Sequence, residues 1–370
     1  MFRNQNPLGR IQDFAKPGNS LKQLWITRAP GPTATGLAYK LGWLTDTFKP
    51  DGIRVEGLQE SPTELRRHHY DHRLPSMIRE GGNIQAFGAR AQGEATKLIG
   101  LTWVDEAQAI LALPGSGISS GADLKGRRLA LPNWIEHPIP AHQRASSIAR
   151  GMSLQGYRGA LGSAGLSLED VKLVEVDATR AARVGESEVG GGAQAGLWSF
   201  DALVEGKVDV LYVKGASAID AARTLGLSVA INLDDLPERR FRVNNGTPRP
   251  ITVHDNLLEN HFDIVVRFLV QILKVSDWAA DNLPQVRRLL ETETRASSAA
   301  VRQAYSDHAL SALHPVLDPE RLALFERQKT ALWVHGFLER DFDLSDWVDR
   351  RPLEAAVKIL HQETEPLASS

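Results

Sequence analysis

Two segments of the chain share one build, and that build restricts the fold more than any other feature. Ala122-Asp123-Leu124-Lys125-Gly126-Arg127-Arg128-Leu129-Ala130-Leu131-Pro132 opens on a helical turn that Asp123 can start, stops at Gly126, and leaves as a strand from Arg128. Ala202-Leu203-Val204-Glu205-Gly206-Lys207-Val208-Asp209-Val210-Leu211 repeats the logic, with a helix closing at Gly206 and a strand carrying Val208, Val210 and Tyr212. Glycine tolerates the left-handed backbone that ends a helix, and an apolar run behind it reads as a strand. Such units belong to a sheet with helices packed on it.

The remaining pattern agrees. Leu21–Thr27, Ile53–Leu58, Lys97–Trp103 and Ala109–Leu113 read as strands. Between them lie a helix through Leu37, Ala38, Leu41 and Leu44, and a second one entered through Ser61-Pro62-Thr63-Glu64. This β-α-β-α-β order predicts a parallel sheet with helices on both faces. Further on, residues 143–162 read as a helix, and Val171–Val176 and Leu227–Leu233 as strands. Asn244–Pro250 reads as a return between lobes, followed by helices over Phe262–Val275 and Pro319–Phe337. Trp278, Trp333 and Trp347 are expected in packing. Residues 1–20 read as a loose arm and Val189–Gly196 as a flexible loop. The expected division is lobe 1 from 1–118 and 240–370, lobe 2 from 119–239, with an interlobe cleft. A chain of 370 residues is long enough for two such lobes.

Charge and composition exclude several classes of function. A net charge of −2 gives no argument for nucleic acid or an anionic membrane as partner. The chain has no cysteine, which removes disulfides, thiolate metal sites and a cysteine nucleophile. The N-terminal MFRNQNPLGRIQDFAKPG lacks the apolar core of a secretory signal, and no apolar run reaches membrane-spanning length. As given, the chain is expected in the cytoplasm; it would be periplasmic had a signal peptide been removed. No cofactor is expected: in Gly115–Gly121 the third glycine of a dinucleotide fingerprint falls on Ser120, and no Gly-Lys-Ser/Thr ending exists.

Chemistry concentrates in Arg66-Arg67-His68-His69-Tyr70-Asp71-His72, continued by Ile78-Arg79-Glu80-Gly81-Gly82-Asn83. Histidine moves protons near neutral pH, arginine forks onto oxyanions, and glycine lets backbone N–H groups approach a ligand. Together they are the parts of an anion site with acid/base capacity. Arg66, Arg67 and His68 read as solvated; the His69–Arg79 pair is the candidate. A second anion position is the loop Ala29–Thr33, where a strand runs into a helix N-terminus capped by Thr33 or Thr35. His69 and His72 could offer two imidazoles to a metal, but no third ligand is identifiable, so no metal is expected. His137 and His142 in the HPIPAH loop read as exposed loop. No Gly-x-Ser-x-Gly elbow marks a serine triad.

The two crossover segments resemble those of type II periplasmic-binding-protein folds. The segment Trp25–Pro32, the spacing of His69 and Arg79, and Arg79-x-Gly81-Gly82 resemble, more narrowly, the 2′-hydroxybiphenyl-2-sulfinate desulfinase family and its solute-binding-like relatives. The likeness includes Leu322-Ala323-Leu324-Phe325-Glu326-Arg327 and Leu344-Ser345-Asp346-Trp347. In that family a cysteine before a Pro-x-Pro is the nucleophile, and a histidine, an arginine and a Gly-Gly backbone assist it. The resemblance places these on Ala29, His69, Arg79, Gly81 and Gly82; Pro30 and His72 join them as substrate-binding candidates. A methyl group at Ala29 cannot attack sulfur. Two functions are therefore expected. One is a desulfinase-like protein acting on a small aromatic sulfinate or related anion, releasing sulfite by C–S hydrolysis if active. The other is a solute receptor of a sulfonate/nitrate/taurine-type uptake system, with an ABC permease as partner.

Overall fold

The computed structural model describes residues 21–135, 144–177 and 197–364. The first lobe is built on β1 (Gln23–Arg28), β2 (Arg54–Gly57), β3 (Met77–Glu80), β4 (Thr96–Thr102) and β10 (Arg249–His254), in the order β2-β1-β3-β10-β4. β1 runs parallel to β2 and β3, whereas β10 runs antiparallel to β3 and β4. The sheet is thus mixed, not the purely parallel one expected. The reason is that β10 is the returning chain, which re-enters from the second lobe against the direction of its neighbours. β3 was not expected as a strand either. Its residues Met77, Ile78, Arg79 and Glu80 are all buried, and two charges in four residues hide the apolar signature.

The second lobe contains β5 (Gln108–Ala112), β6 (Arg128–Pro132), β7 (Lys172–Val176), β8 (Leu211–Lys214) and β9 (Ser228–Asn232). β5 lies antiparallel between β8 and β9, β6 pairs parallel with β7, and a parallel bridge of Leu129 to Val210 joins the two groups. Because β5 pairs only within this second sheet, the first change of sheet falls in residues 103–107. The chain returns through residues 233–248. That return is tied to the second lobe by Asn244 Nδ2, which donates to Met152 O and to Tyr212 Oη, both at 3.0 Å.

The core follows from amphipathic helices laid on these sheets. In the Phe262–Asp281 helix, Val265, Val266, Leu269 and Ile272 are fully buried against α1 (Ala34–Lys40) and the Arg351–Thr364 helix. Each such side chain contributes about 1.5–3 kcal/mol. Trp347 is fully buried beside Phe325, and Trp278 packs edge-on to Trp43 at 6.1 Å. Trp333 departs from expectation: it is 45% exposed, because it sits on the outer face of the Pro319–Val334 helix. The helix expected over 143–162 spans Ile148–Ser163. Residues 1–20, His137, His142 and Val189–Gly196 lie outside the described residues. Among the described residues, no helix is long and apolar enough to cross a membrane.

Candidate functional site

The site starts at the carboxyl ends of β1 and β3. β1 runs directly into the buried loop Ala29–Thr33, and Ala29 N donates to Glu80 O at 3.0 Å, extending the β1–β3 pairing by one residue. Thr33 caps α1, its Oγ1 accepting from Gly36 N at 3.0 Å. The next amide, Thr35 N, donates to Glu80 Oε2 at 2.8 Å, and Thr102 Oγ1 donates to Glu80 Oε1 at 3.2 Å. The helix N-terminus expected to hold an external anion is therefore occupied by the protein's own carboxylate. Burial pushes the Glu80 carboxyl above the usual carboxylate range; the Thr35 amide and the Arg249 charge pull the other way.

On β1, two residues before Ala29, Thr27 meets the histidine stretch. Thr27 Oγ1 lies 2.7 Å from His69 Nδ1 and accepts from Gln59 Nε2 at 2.9 Å. Gln59 Nε2 also donates to Arg28 O at 2.6 Å, which fixes the amide against the strand. Across the ring, Arg79 Nη2 lies 3.4 Å from His69 Nε2, and Arg79 Nε donates to His69 O at 3.2 Å. A guanidinium has no lone pair to offer. Nε2 of His69 thus faces a donor, and Nδ1 faces the Thr27 hydroxyl. His69 and Arg79 are both fully buried.

The glycines complete the arrangement by close approach. A Cβ built on Gly81 would stand 2.8 Å from Arg79 Cζ, so only glycine lets the guanidinium lie against this backbone. A Cβ on Gly82 would stand 2.4 Å from Asn245 Oδ1. Gly82 caps the Asn83–Ala91 helix, and Asn245 Oδ1 accepts from Ile84 N at 3.1 Å in its first turn. Asn83 Nδ2 donates to Asn244 O at 2.8 Å and Pro248 O at 2.9 Å, pinning this helix end to the returning crossover.

The other candidates divide. His72 is buried and closes the His68–Asp71 helix with a left-handed backbone at φ 56°. Pro30 is buried in the loop beside Ala29. Of the residues expected to be solvated, Arg67 is exposed, but Arg66 and His68 are half-buried, and His68 Nδ1 pairs with Asp71 Oδ1 at 2.7 Å. Among the described residues no group of three or more His, Asp or Glu side chains is placed to hold a metal ion. Thr27, Gln59 and Asn245 brace these candidate residues through hydrogen bonds that were not foreseen. Nothing in local spacing marks them, since each acts through a partner more than thirty residues away in sequence.

With this geometry in place, the relatives can be compared. No family model matches the chain. Among curated proteins it is similar to 2′-hydroxybiphenyl-2-sulfinate desulfinase from Rhodococcus erythropolis, 26% identical over 373 residues, covering 90% of this chain and 95% of the relative. The same figures hold for the desulfinase of Rhodococcus qingshengii. Among solved structures, a mutant of the desulfurization enzyme DSZB in complex with biphenyl-2-sulfinic acid superposes with a TM-score of 0.68 at 23% identity, covering 91% of this chain and 99% of that one. The periplasmic aliphatic sulphonate binding protein SsuA from Escherichia coli superposes with a TM-score of 0.63 at 16% identity, covering 90% and 93%. The fold is the two-lobed, periplasmic-binding-protein-like α/β fold expected from the crossover segments.

Proposed function

We propose that the chain is a desulfinase-like protein that binds a small aromatic sulfinate or a related organic anion in its interlobe cleft. The observation that carries this reading is the buried His69–Arg79 pair, laid against Gly81 and followed by Gly82 at a helix N-terminus. Arg79 supplies paired N–H donors for the sulfinate oxygens. Gly82 stands at the positive end of the Asn83–Ala91 helix dipole, which favours the same charge. His69 holds Arg79 through its carbonyl and ring, while Thr27 and Gln59 fix the ring. Pro30 and His72 complete the binding set. No cofactor or metal enters the reading.

The nucleophile position carries Ala29, whose methyl group forms no covalent bond to sulfur. Hydrolysis of a sulfinate, ArSO2⁻ + H2O → ArH + HSO3⁻, would then depend on water and not on a side chain at this position. This observation favours the second reading, a solute receptor that uses the same Arg79 and glycine contacts without turnover and hands its ligand to an ABC permease. The desulfinase-like reading places the protein in the cytoplasm, the receptor reading in the periplasm. Calorimetric titration with benzenesulfinate, coupled to sulfite analysis, tests both. Binding with sulfite release supports the first, binding without release the second, and no binding rejects the site.

A further inference from the structure

Beside the loop that carries Ala29, four buried side chains from four separate segments meet. Glu106 stands in the first crossover, Lys214 ends β8 in the second lobe, Arg249 opens β10 in the first lobe, and Tyr305 follows the Ser298–Ala304 helix. Tyr305 Oη donates to Glu106 Oε1 at 2.7 Å. Glu106 Oε2 lies 3.5 Å from both Lys214 Nζ and Arg249 Nη2, and Lys214 Nζ donates to Asn245 O at 2.7 Å. Arg249 is 2% exposed, and its Nε and Nη1 have no hydrogen-bond partner among the described residues.

The cluster adjoins the site already described. Antiparallel pairing of Ile251 with Glu80, and the Gly81 N to Pro250 O hydrogen bond, carry Arg249 to the level of Gly82 at the carboxyl end of β3. Asn245, whose carbonyl takes Lys214, has its amide against Gly82. Gly31, two residues past Ala29, has its Cβ direction 3.3 Å from Glu106 Oε1. Gly246 lies over the cations: a Cβ there would stand 3.0 Å from Arg249 Nη2 and 3.4 Å from Lys214 Nζ.

Charge counting sharpens the point. Two cations share one carboxylate, Glu106. Glu80 and Asp234 act on the pair electrostatically, but burial pushes both of their carboxyls up toward the neutral form; burial also lowers the Lys214 ammonium below its usual range, so Arg249 is the cation most in need of a further anion. A buried guanidinium with unpaired N–H groups is costly unless an anion completes it.

We propose that Arg249 and Lys214 form a second anion position beside the Arg79–Gly82 site, and that the ligand is an aromatic sulfinate or sulfonate bearing a carboxylate. The inference rests on the sulfinate reading and narrows its substrate class from monoanions to dianions. Arg249 takes the carboxylate through the N–H groups that the protein leaves unpaired, and Lys214 adds charge from the opposite lobe.

The test is calorimetric titration of the full chain with benzenesulfinate, 2-carboxybenzenesulfinate and phthalate, repeated with Arg249→Met and Arg249→Lys. The dianionic sulfinate is expected to bind at least about tenfold more tightly than benzenesulfinate, as one further charge-assisted contact requires. Arg249→Met should bring the ratio of the two sulfinate affinities down to about one, while Arg249→Lys keeps part of the advantage. Equal affinity of the unsubstituted chain for the two sulfinates overturns the inference without touching the sulfinate reading, and needs no variant to fold. An advantage that survives in Arg249→Met also overturns it. Phthalate binding that depends on Arg249, with neither sulfinate bound, upholds the second position and rejects the sulfinate reading. If none of the three probes binds, both fall.

Discussion

Gly82→Ala is the substitution whose consequence the geometry fixes most tightly. The new Cβ would stand 2.4 Å from Asn245 Oδ1, 2.5 Å from Nδ2 and 2.7 Å from Cγ. These separations are too short for a methyl carbon against any heavy atom, so the amide must move. Its backbone is held on both sides, with Asn245 N donating to Asn244 Oδ1 at 2.7 Å and Asn245 O accepting from Lys214 Nζ at 2.7 Å. Only rotation of the side chain is left, and rotation surrenders the Ile84 N–H cap. The lost cap is worth about 1 kcal/mol, and residual overpacking adds about 1–3 kcal/mol. Gly82→Ala should therefore lower unfolding free energy by about 2–4 kcal/mol. Denaturant unfolding followed by tryptophan fluorescence measures it. Asn245→Gly loses the cap alone, about 1 kcal/mol. In Gly82→Ala/Asn245→Gly the clash is gone and the cap is lost only once, so the double variant should be more stable than the sum of the singles by about 2–4 kcal/mol. Strict additivity, or a Gly82→Ala protein within about 0.5 kcal/mol of the parent, would refute the contact.

Arg79→Ala should weaken benzenesulfinate binding by about 2–5 kcal/mol in calorimetric titration; unchanged affinity would remove Arg79 from the role of anion anchor. Ala29→Cys should release sulfite from 2′-hydroxybiphenyl-2-sulfinate, and Ala29→Cys/His69→Ala should not; an Ala29→Cys protein that binds the sulfinate tightly yet releases nothing supports the receptor. Burial first, and the neighbouring Asp105 charge second, push the Asp234 carboxyl up to about 7. Its unfolded value is about 3.9, so between those limits the folded chain holds the extra proton and stability falls as pH rises, by at most about 1.4 kcal/mol per pH unit. Asp234→Asn should flatten that slope in denaturant unfolding between pH 4 and pH 7, and an unchanged slope would assign it elsewhere.

How much of this was legible in the sequence depended on whether the signal was local. The strands around Lys97–Trp103 and Ala109–Leu113 were, because continuous apolar runs have one meaning in a doubly covered sheet. β3 was not, since Arg79 and Glu80 occupy interior positions, each hydrogen-bonded to groups outside the strand. The sheet to which β5 belongs was also illegible: its apolar residues suit either sheet, and only its pairing with β8 and β9 decides. At the site, the His69–Arg79 spacing and the glycine pair were readable as a motif. The role of Thr27 was not, because a buried threonine on a strand reads as packing until an imidazole is found 2.7 Å from it. Glu106, Lys214, Arg249 and Tyr305 come from four segments that only the tertiary fold brings together.

The tethered Glu80 carboxylate has a consequence for discrimination among solutes. A bare helix end with open amides accepts nearly any small oxyanion, chloride and inorganic phosphate included. Here one of the amides at the start of α1 is already engaged by a side chain fixed on the neighbouring strand. An intruding ion would have to displace a partner that never diffuses away, and whose effective concentration far exceeds that of free salts. Burial makes Glu80 readier to take up a proton than a surface carboxylate, which lessens its repulsion of an incoming anion. The occupied socket thus works as a blank key in a lock: abundant inorganic ions find this position already filled.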